Sequence, residues 1–136
     1  MSRILGLDYG ERRIGIALSD PLQIIAKPFT VIDRKKTDYI SQLSKMIVEN
    51  DIISIVVGLP LTLHGKKSKQ TEVVLSFINE LQSKLPVPVS QVDERLSSIA
   101  AEKSLHLQNV KTGYEKGRID ETAAAIFLQE YLDSKV

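Results

Sequence analysis

Hydrophobic positions change their period along this chain, and the change divides it into two parts. Residues 4–8, 13–19 and 29–32 are short runs rich in apolar and β-branched residues, which is typical of strands. Only residues 9–12 separate the first two runs, and so short a connection favours an antiparallel pair. The first part of the chain therefore predicts a three-stranded meander.

After the charged turn that follows this meander, apolar residues recur at the spacing of amphipathic helices. The first helix is expected behind a cap at Thr37 or Asp38, and Pro86 is expected to end the second. Two further helices complete the pattern, one over residues 97–108 and a last one that opens near Asp120. The apolar positions of the first two helices are Ile40, Leu43, Met46 and Ile47, and then Val73, Val74, Phe77, Ile78, Leu81 and Leu85.

Two apolar segments between the helices predict the remaining strands. Residues 52–57 are almost wholly apolar and β-branched, which is typical of a strand covered on both faces in the interior of a sheet. Residues 87–92 form the other segment. A meander followed by alternating helices and strands predicts an α/β fold, with a mixed five-stranded sheet and helices on both of its faces.

Composition limits the classes of protein to which this chain can belong. Its 136 residues fit one domain over residues 1–136, and 43% hydrophobic and 26% charged residues are ordinary globular values. The absence of cysteine excludes disulfides and thiolate chemistry, so a bound metal would need oxygen or imidazole ligands. The longest uncharged stretch, residues 52–65, is shorter than the ~20 residues that span a bilayer. We expect a soluble cytoplasmic protein without a membrane partner.

Acidic residues lie at the ends of three predicted elements. Asp8 follows a buried strand, Asp93 and Glu94 follow the last strand, and Asp120 lies near the start of the last helix. Each has an ordinary structural explanation, as a turn residue, a surface ion pair or a helix cap respectively. Together they favour a metal centre, because crowded carboxylates need a cation to offset their repulsion.

Four segments along the chain carry a resemblance to a known family. In this order and spacing they resemble the YqgF family, whose members are described as Holliday junction resolvases and as the nuclease that matures the small-subunit ribosomal RNA precursor. The resemblance covers essentially the whole chain and implies the ribonuclease H-like fold. The segments are Asp8-Tyr9-Gly10, Val56-Val57-Gly58-Leu59-Pro60 with Gly65, Asp93-Glu94-Arg95-Leu96-Ser97-Ser98, and Lys116-Gly117-Arg118-Ile119-Asp120 before Ala123-Ala124.

The resemblance implies that Asp8, Glu94 and Asp120 are the catalytic triad and the ligands of one or two Mg²⁺ or Mn²⁺ ions. In phosphodiester hydrolysis such ions lower the pKa of a bound water and neutralise charge on the phosphate. Asp93 competes with Glu94 for the ligand role, because alternation along a strand sends the two side chains to opposite faces and the sequence does not fix which face carries the site. Glu121 is an adjacent candidate for a fourth carboxylate.

Cationic residues near these segments are expected to bind substrate phosphates. The planar guanidinium of Arg95 can clamp a phosphate through two hydrogen bonds. Lys66, Lys67, Lys116 and Arg118 lie near the same segments and would attract a polyanion. The implied partner is nucleic acid, with precursor ribosomal RNA preferred over branched DNA, either free or within ribosomal particles. The protein would act as a monomer or a homodimer.

Three alternatives to RNA maturation stay open. The turn at Asp8 with residues 14–17 also resembles the phosphate-binding hairpin of sugar kinases and actin-like ATPases, but this chain is too short for the two domains of those enzymes. A non-catalytic RNA or ribosome-binding module would bind without turnover. A Holliday junction resolvase would need a symmetric dimer, and the sequence displays no clear dimer surface.

Overall fold

The computed structural model describes residues 2–60, 68–93 and 114–134, except for the side chains of residues 114–121. In these ranges the chain forms five strands and three helices in the predicted order, while the predicted helix over residues 97–108 lies outside them. The strands are β1 (Arg3–Tyr9), β2 (Arg13–Ser19), β3 (Ala26–Asp33), β4 (Ile52–Leu59) and β5 (Val89–Asp93), and the helices are α1 (Tyr39–Glu49), α2 (Lys69–Lys84) and α3 (Tyr114–Ser134).

The strands form one mixed sheet in the order β3-β2-β1-β4-β5. β1, β2 and β3 are antiparallel neighbours, which confirms the predicted meander, whereas β4 runs parallel to both β1 and β5. β4 therefore lies inside the sheet, as its apolar sequence predicts. Because β1, β4 and β5 share one direction, their carboxyl ends lie at the same end of the sheet.

Helices cover both faces of the sheet, and each face has its own core. Leu5 and Leu7 of β1 pack with Leu43 of α1 and Leu81 of α2 on one face. On the opposite face, β1, β2 and β4 pack against α3. This second core comprises Ile4, Ala17, Val56, Ala124, Ala125, Phe127, Leu128 and Leu132. The predicted α/β fold with helices on both faces of the sheet is confirmed.

Local signals in the sequence set the ends of α1 and α2. Asp38 is the N-cap of α1, and its carboxylate accepts from the backbone N–H of Ile40 at 3.2 Å. Ser68 caps α2 through a reciprocal capping box with Thr71. α2 ends at its C-cap Leu85, directly before Pro86, whose ring and missing N–H cannot continue a helix. Of the two predicted caps for α1, the structure selects Asp38.

Two strand boundaries differ from the sequence prediction. β3 begins at Ala26, three residues before the predicted start, because an edge strand tolerates the Lys27-Pro28 pair that breaks the apolar pattern. β5 begins at Val89 instead of residue 87, because Pro88 has no N–H for the ladder and only its carbonyl takes part, accepting from Ile55 at 2.9 Å.

The start of α3 was predicted wrongly. The helix begins at Tyr114, so Asp120 lies six residues inside it and is not its cap. Residues 109–118 have the composition of a polar loop, and Gly117 disfavours a helix by about 1 kcal/mol relative to alanine, yet the helix includes it. No helix within the described ranges is long and apolar enough to cross a membrane.

Candidate active site at the carboxyl end of β1

Asp8 lies next to the last residue of β1, on the sheet face that α3 covers. Leu5 and Leu7 belong to the core under α1 and α2, whereas Ile4 belongs to the core under α3. Because side chains alternate along a strand, Asp8 lies on the same face as Ile4 and Gly6. Asp8 is half-buried and pairs with Gly15 of β2. The sequence prediction of an acid at a strand end is confirmed.

Gly6 lets the backbone of α3 approach β1 closely. A Cβ atom on this glycine would lie 2.9 Å from Cβ of Leu128 and 3.3 Å from the carbonyl oxygen of Ala124. Real side chains do not pack at the first of these distances, so the glycine is required for the contact. The contact fixes α3 directly above the strand that carries Asp8.

The direction of α3 follows from contacts at its carboxyl-terminal half. Gln129 accepts from the backbone N–H of Ala26 and donates to the carbonyl of Ile24, both at 2.8 Å. Ala26 pairs with Ser19, whose hydroxyl accepts from the backbone N–H of Ile4 at 2.8 Å. The carboxyl-terminal half of α3 therefore lies at the start of β1, and its amino-terminal half extends toward the end of β1.

Helix geometry relates the backbone of Asp120 to that of Asp8. Asp120 precedes Ala124 by one turn, about 6 Å along the helix axis, and Asp8 follows Gly6 by about 6.6 Å along the strand. Since Ala124 lies above Gly6 and the two elements run in opposite directions, the backbone of α3 at residue 120 is level with the end of β1 that carries Asp8.

Asp93 lies on the opposite face of the sheet from Asp8. It pairs with Leu59, which belongs to the core under α1 and α2, whereas its neighbour Val92 packs against the core under α3. β4 separates β5 from β1, so the two backbones are about 10 Å apart. The sequence correctly predicts that both acids lie at one end of the sheet, but the structure does not bring them to one face.

The other predicted site residues lie where the structure gives no side-chain description. Glu94, Arg95, Lys66 and Lys67 fall outside the described ranges. Asp120, Lys116 and Arg118 belong to the helical backbone of α3, without described side chains. Within the described side chains, no three acidic or histidine residues cluster as a metal site would require. The proposed triad therefore stays a prediction.

An aromatic stack that the sequence did not predict lies behind Asp8. Tyr9 points to the face under α1 and α2, where its ring centroid is 4.2 Å from that of Phe77, and Phe77 is 5.7 Å from Tyr39. The guanidinium of Arg34 lies 4.5 Å from the centroid of Tyr9. Tyr9, Phe77 and Glu80 also line an open pocket of about 400 Å³. The stack supports the end of β1 from the side opposite Asp8.

A hydrogen bond at the edge of this stack shifts two pKa values. The hydroxyl of Tyr39 donates to the carboxylate of Glu80, which also accepts from Lys84 at 3.1 Å. Burial, and then this hydrogen bond, raise the pKa of Tyr39 to about 12. The same bond is the largest cause that lowers the pKa of Glu80 below its usual range. The pair is therefore a neutral phenol and a charged carboxylate at neutral pH.

Comparison with known protein families identifies the family. The model of a family described as "RuvX: Holliday junction resolvase" matches residues 2–134. The chain belongs to the RuvX family. A RuvX relative from Chloroflexus aurantiacus is 45% identical over 133 residues, which are 97% of this chain and 87% of the relative. Another from Desulforamulus reducens is 44% identical and covers 97% of each chain. Both carry the name "Putative pre-16S rRNA nuclease".

Solved structures share the fold of this RuvX chain. Thermus thermophilus RuvC in complex with a Holliday junction superposes with a TM-score of 0.59 at 12% identity, covering 99% of this chain and 96% of that one. The fowlpox virus Holliday junction resolvase gives a TM-score of 0.54 at 14% identity, with 97% and 99% covered. The predicted ribonuclease H-like fold is thereby confirmed for this RuvX member.

Proposed function

We propose that this chain is a divalent-metal-dependent endonuclease that matures the 5′ end of the 16S ribosomal RNA precursor. The observation that carries the proposal is the position of Asp8 on the face under α3, level with the backbone of residue 120. The name of its 44–45% identical relatives supports the substrate. Ribosomal precursor particles in the cytoplasm are the setting in which that substrate would be met.

The residues present fit a divalent ion. Asp8 is half-buried at a strand end, and Asp8, Glu94 and Asp120 together offer only carboxylate oxygens, the ligands that Mg²⁺ and Mn²⁺ prefer. When bound, one or two such ions supply a water of lowered pKa and offset negative charge on the phosphate. Asp8, Glu94 and Asp120 would hold the ion at the sheet end, and Arg95 would clamp a phosphate oxygen through two hydrogen bonds. Four further cations would attract the RNA strand, namely Lys66, Lys67, Lys116 and Arg118.

The faces of β5 favour Glu94 over Asp93 as the ligand. Val92 lies on the face of Asp8, and Asp93 lies on the opposite face. If the strand continues its alternation by one residue, the side chain of Glu94 returns to the face of Val92. This argument supports Glu94 as the proposed ligand, and it makes Asp93 a natural control.

Junction resolution is the second candidate function, because the matching family model is described as a Holliday junction resolvase. The two substrates require different oligomeric states. A four-way junction calls for a symmetric dimer with two active sites, whereas an RNA end can be trimmed by a monomer. A monomer acting on RNA is the form we propose.

Cleavage of two end-labelled substrates tests the proposal. Precursor 16S RNA and a synthetic four-way DNA junction are incubated with Mg²⁺ or Mn²⁺ and with wild type, Asp8→Asn, Glu94→Gln or Asp93→Asn. We expect metal-dependent RNA cleavage that falls by at least about 10²-fold in Asp8→Asn and Glu94→Gln, in line with the loss of a preorganised electrostatic group. Asp93→Asn should retain activity, because its side chain is on the other face.

Three outcomes would contradict the proposal. Paired symmetric nicks in the junction without RNA cleavage would indicate that the protein resolves Holliday junctions instead. Equal cleavage by Asp8→Asn and wild type would exclude Asp8 from the active site. Binding of RNA by wild type without cleavage under any metal would favour the non-catalytic module.

A further inference from the structure

Two turns at the carboxyl end of β1 bring together four cationic side chains. The turn between β1 and β2 carries Arg12, with Arg13 directly after it as the first residue of β2, and the turn between β3 and α1 carries Lys35 and Lys36. Arg12, Lys35 and Lys36 are exposed, and Arg13 is half-buried. We refer to these four residues as the cationic rim. Both turns lie at the same end of the sheet as Asp8, because β2 and β3 pair antiparallel to their neighbours.

Arg34 joins the two turns. Its backbone N–H donates to the carbonyl of Arg12 at 2.8 Å, and its guanidinium donates to the carbonyls of Gly10, at 3.1 Å, and Glu11. The same guanidinium packs over Tyr9. Arg34 thus holds the two turns together and fixes the backbone that carries the rim cations.

Backbone packing makes the first turn equally well defined. The N–H of Gly10 donates to the carbonyl of Arg13 at 2.8 Å, and a Cβ atom on Gly10 would lie 2.6 Å from that carbonyl oxygen. In the second turn, the N–H groups of Lys36 and Thr37 both donate to the carbonyl of Asp33 at 3.1 Å. Positions fixed in this way require less ordering when a partner binds.

The two turns carry a larger net positive charge than the whole chain. Residues 10–13 and 33–38 contain five cationic and three acidic side chains, an excess of two positive charges, while the entire chain carries a net charge of +1. Asp33 offsets part of this charge by pairing with Arg12 at 3.4 Å. The N–H of Lys35, and then Arg12, hold the pKa of Asp33 below its usual range. Even with this pair, Arg13, Lys35 and Lys36 leave a positive surface at the end of the sheet that carries Asp8.

The rim lies on the β2 and β3 side of Asp8. Ala17 of β2 belongs to the core under α3, so alternation places Arg13 on the same face as Asp8, just beyond its partner Gly15. β4 and β5, the strands that precede the predicted substrate cations Lys66, Lys67 and Arg95 in the chain, lie on the other side of β1 in the sheet order. An RNA strand that crosses the sheet end at Asp8 toward β2 and β3 would meet the cationic rim.

We propose that the cationic rim binds the phosphodiester backbone of the RNA strand, on the side of the cleavage position that lies over β1, β2 and β3. The inference deepens the nuclease proposal and rests on it for the choice of RNA. It adds a second phosphate-binding flank, which would hold the substrate by its backbone without reading its sequence.

Equilibrium binding without metal separates this inference from catalysis. A fluorescent single-stranded RNA from the precursor 5′ region is titrated in EDTA at salt concentrations between 50 and 200 mM. Lys35→Ala/Lys36→Ala is compared with Lys27→Ala/Lys45→Ala, which removes two exposed lysines away from the rim. We expect the rim variant to bind about tenfold more weakly and its salt slope to be about 1.4 smaller, two single-strand phosphate contacts at about 0.7 each. The control should match wild type.

A variant that gains affinity complements the test, because misfolding could explain weaker binding but not tighter binding. Glu11 is exposed at the tip of the first turn, so Glu11→Gln adds one unit of positive charge to the rim without removing a cation. We expect tighter binding by about twofold to fivefold at low salt, fading as salt screens the charge. Equal weakening by the rim variant and the control, or an unchanged affinity in both Lys35→Ala/Lys36→Ala and Glu11→Gln, would overturn the inference. Because nothing is cleaved in EDTA, that result is independent of whether the protein is a nuclease.

Discussion

Tyr39 and Glu80 illustrate how a single hydrogen bond ties two ionisation equilibria to stability. Glu80 has a folded pKa below its usual value, so it stabilises the protein above that usual value and the contribution is lost as pH falls through the folded pKa. Tyr39 has a folded pKa of about 12, so its contribution is complete below pH 10 and is lost between about 10 and 12. The bond therefore stabilises the protein across the neutral range.

We expect Tyr39→Phe to lower the free energy of unfolding by about 1 kcal/mol at pH 7, the usual value of a hydrogen bond, while the ring contact with Phe77 is kept. The loss should shrink at strongly acidic pH, because protonation of Glu80 removes the charge that strengthens the bond. Urea unfolding at several pH values measures this. Glu80→Gln and the double variant complete a mutant cycle, and additive losses would mean that the two residues do not interact.

Individual residues separate what a sequence can predict from what it cannot. Asp8 was predictable because a strand end and a glycine turn are both local signals. Arg34 was not, since its role depends on carbonyls of Gly10 and Glu11 that lie more than twenty positions away in the chain. The same holds for Arg13, whose position on the face of Asp8 follows only from the register of β1 and β2.

At the scale of elements, the contact between β1 and α3 sets the geometry of the candidate site. Asp8 and Asp120 belong to these two elements, and the contact between them passes through Gly6. A small outward movement of α3 would separate the backbones that carry the two acids. Displacement by about 1 Å can reduce catalysis by about 10²-fold.

Gly6→Ala should therefore reduce the rate of cleavage by more than its loss of stability explains. We expect the methyl group to displace α3 from β1, lowering kcat by about tenfold or more at temperatures where the variant is folded. Leu128→Ala is the matched control, because it removes buried volume at the same contact and costs about 2–5 kcal/mol without pushing the helix outward. Thermal melts and single-turnover cleavage measure both quantities. If the two variants lost activity in the same proportion to their loss of stability, the position of α3 would not control catalysis.

Element boundaries show why periodicity predicts some segments better than others. β2 was predicted to the residue, since its apolar run is bounded by polar turns on both sides. The start of α3 was missed by several residues, because its first turns contain Gly117 and charged residues and resemble a loop. Helical segments of this kind depend on tertiary packing farther along, here on Ala124 and Leu128, and a local pattern does not contain that information.

At the scale of the whole molecule, the order of elements was the most informative part of the sequence. Short connections between the first three strands and helical connections between the last three require an antiparallel half and a parallel half. That arrangement places the ends of β1 and β5 together and predicts where a site forms. The face on which Asp93 lies, opposite to that of Asp8, was not predictable, because it follows from the register of β5 against β4.

A divalent ion bound between β1, β5 and α3 would connect three distant parts of the chain and should stabilise the whole fold. Binding to the native state alone raises the free energy of unfolding by about 1.4 kcal/mol at ten times the dissociation constant, which corresponds to a rise in Tm of about 5 °C for a chain of this size. We expect Mg²⁺ or Mn²⁺ to produce this rise in wild type and in Asp93→Asn. Asp8→Asn should respond by less than about 1 °C, because it removes one charged ligand. Sodium chloride at matched ionic strength controls for general screening of charge. Since this readout needs no substrate, an equal rise in all three proteins would exclude an ion at Asp8, whatever the cleavage assays give.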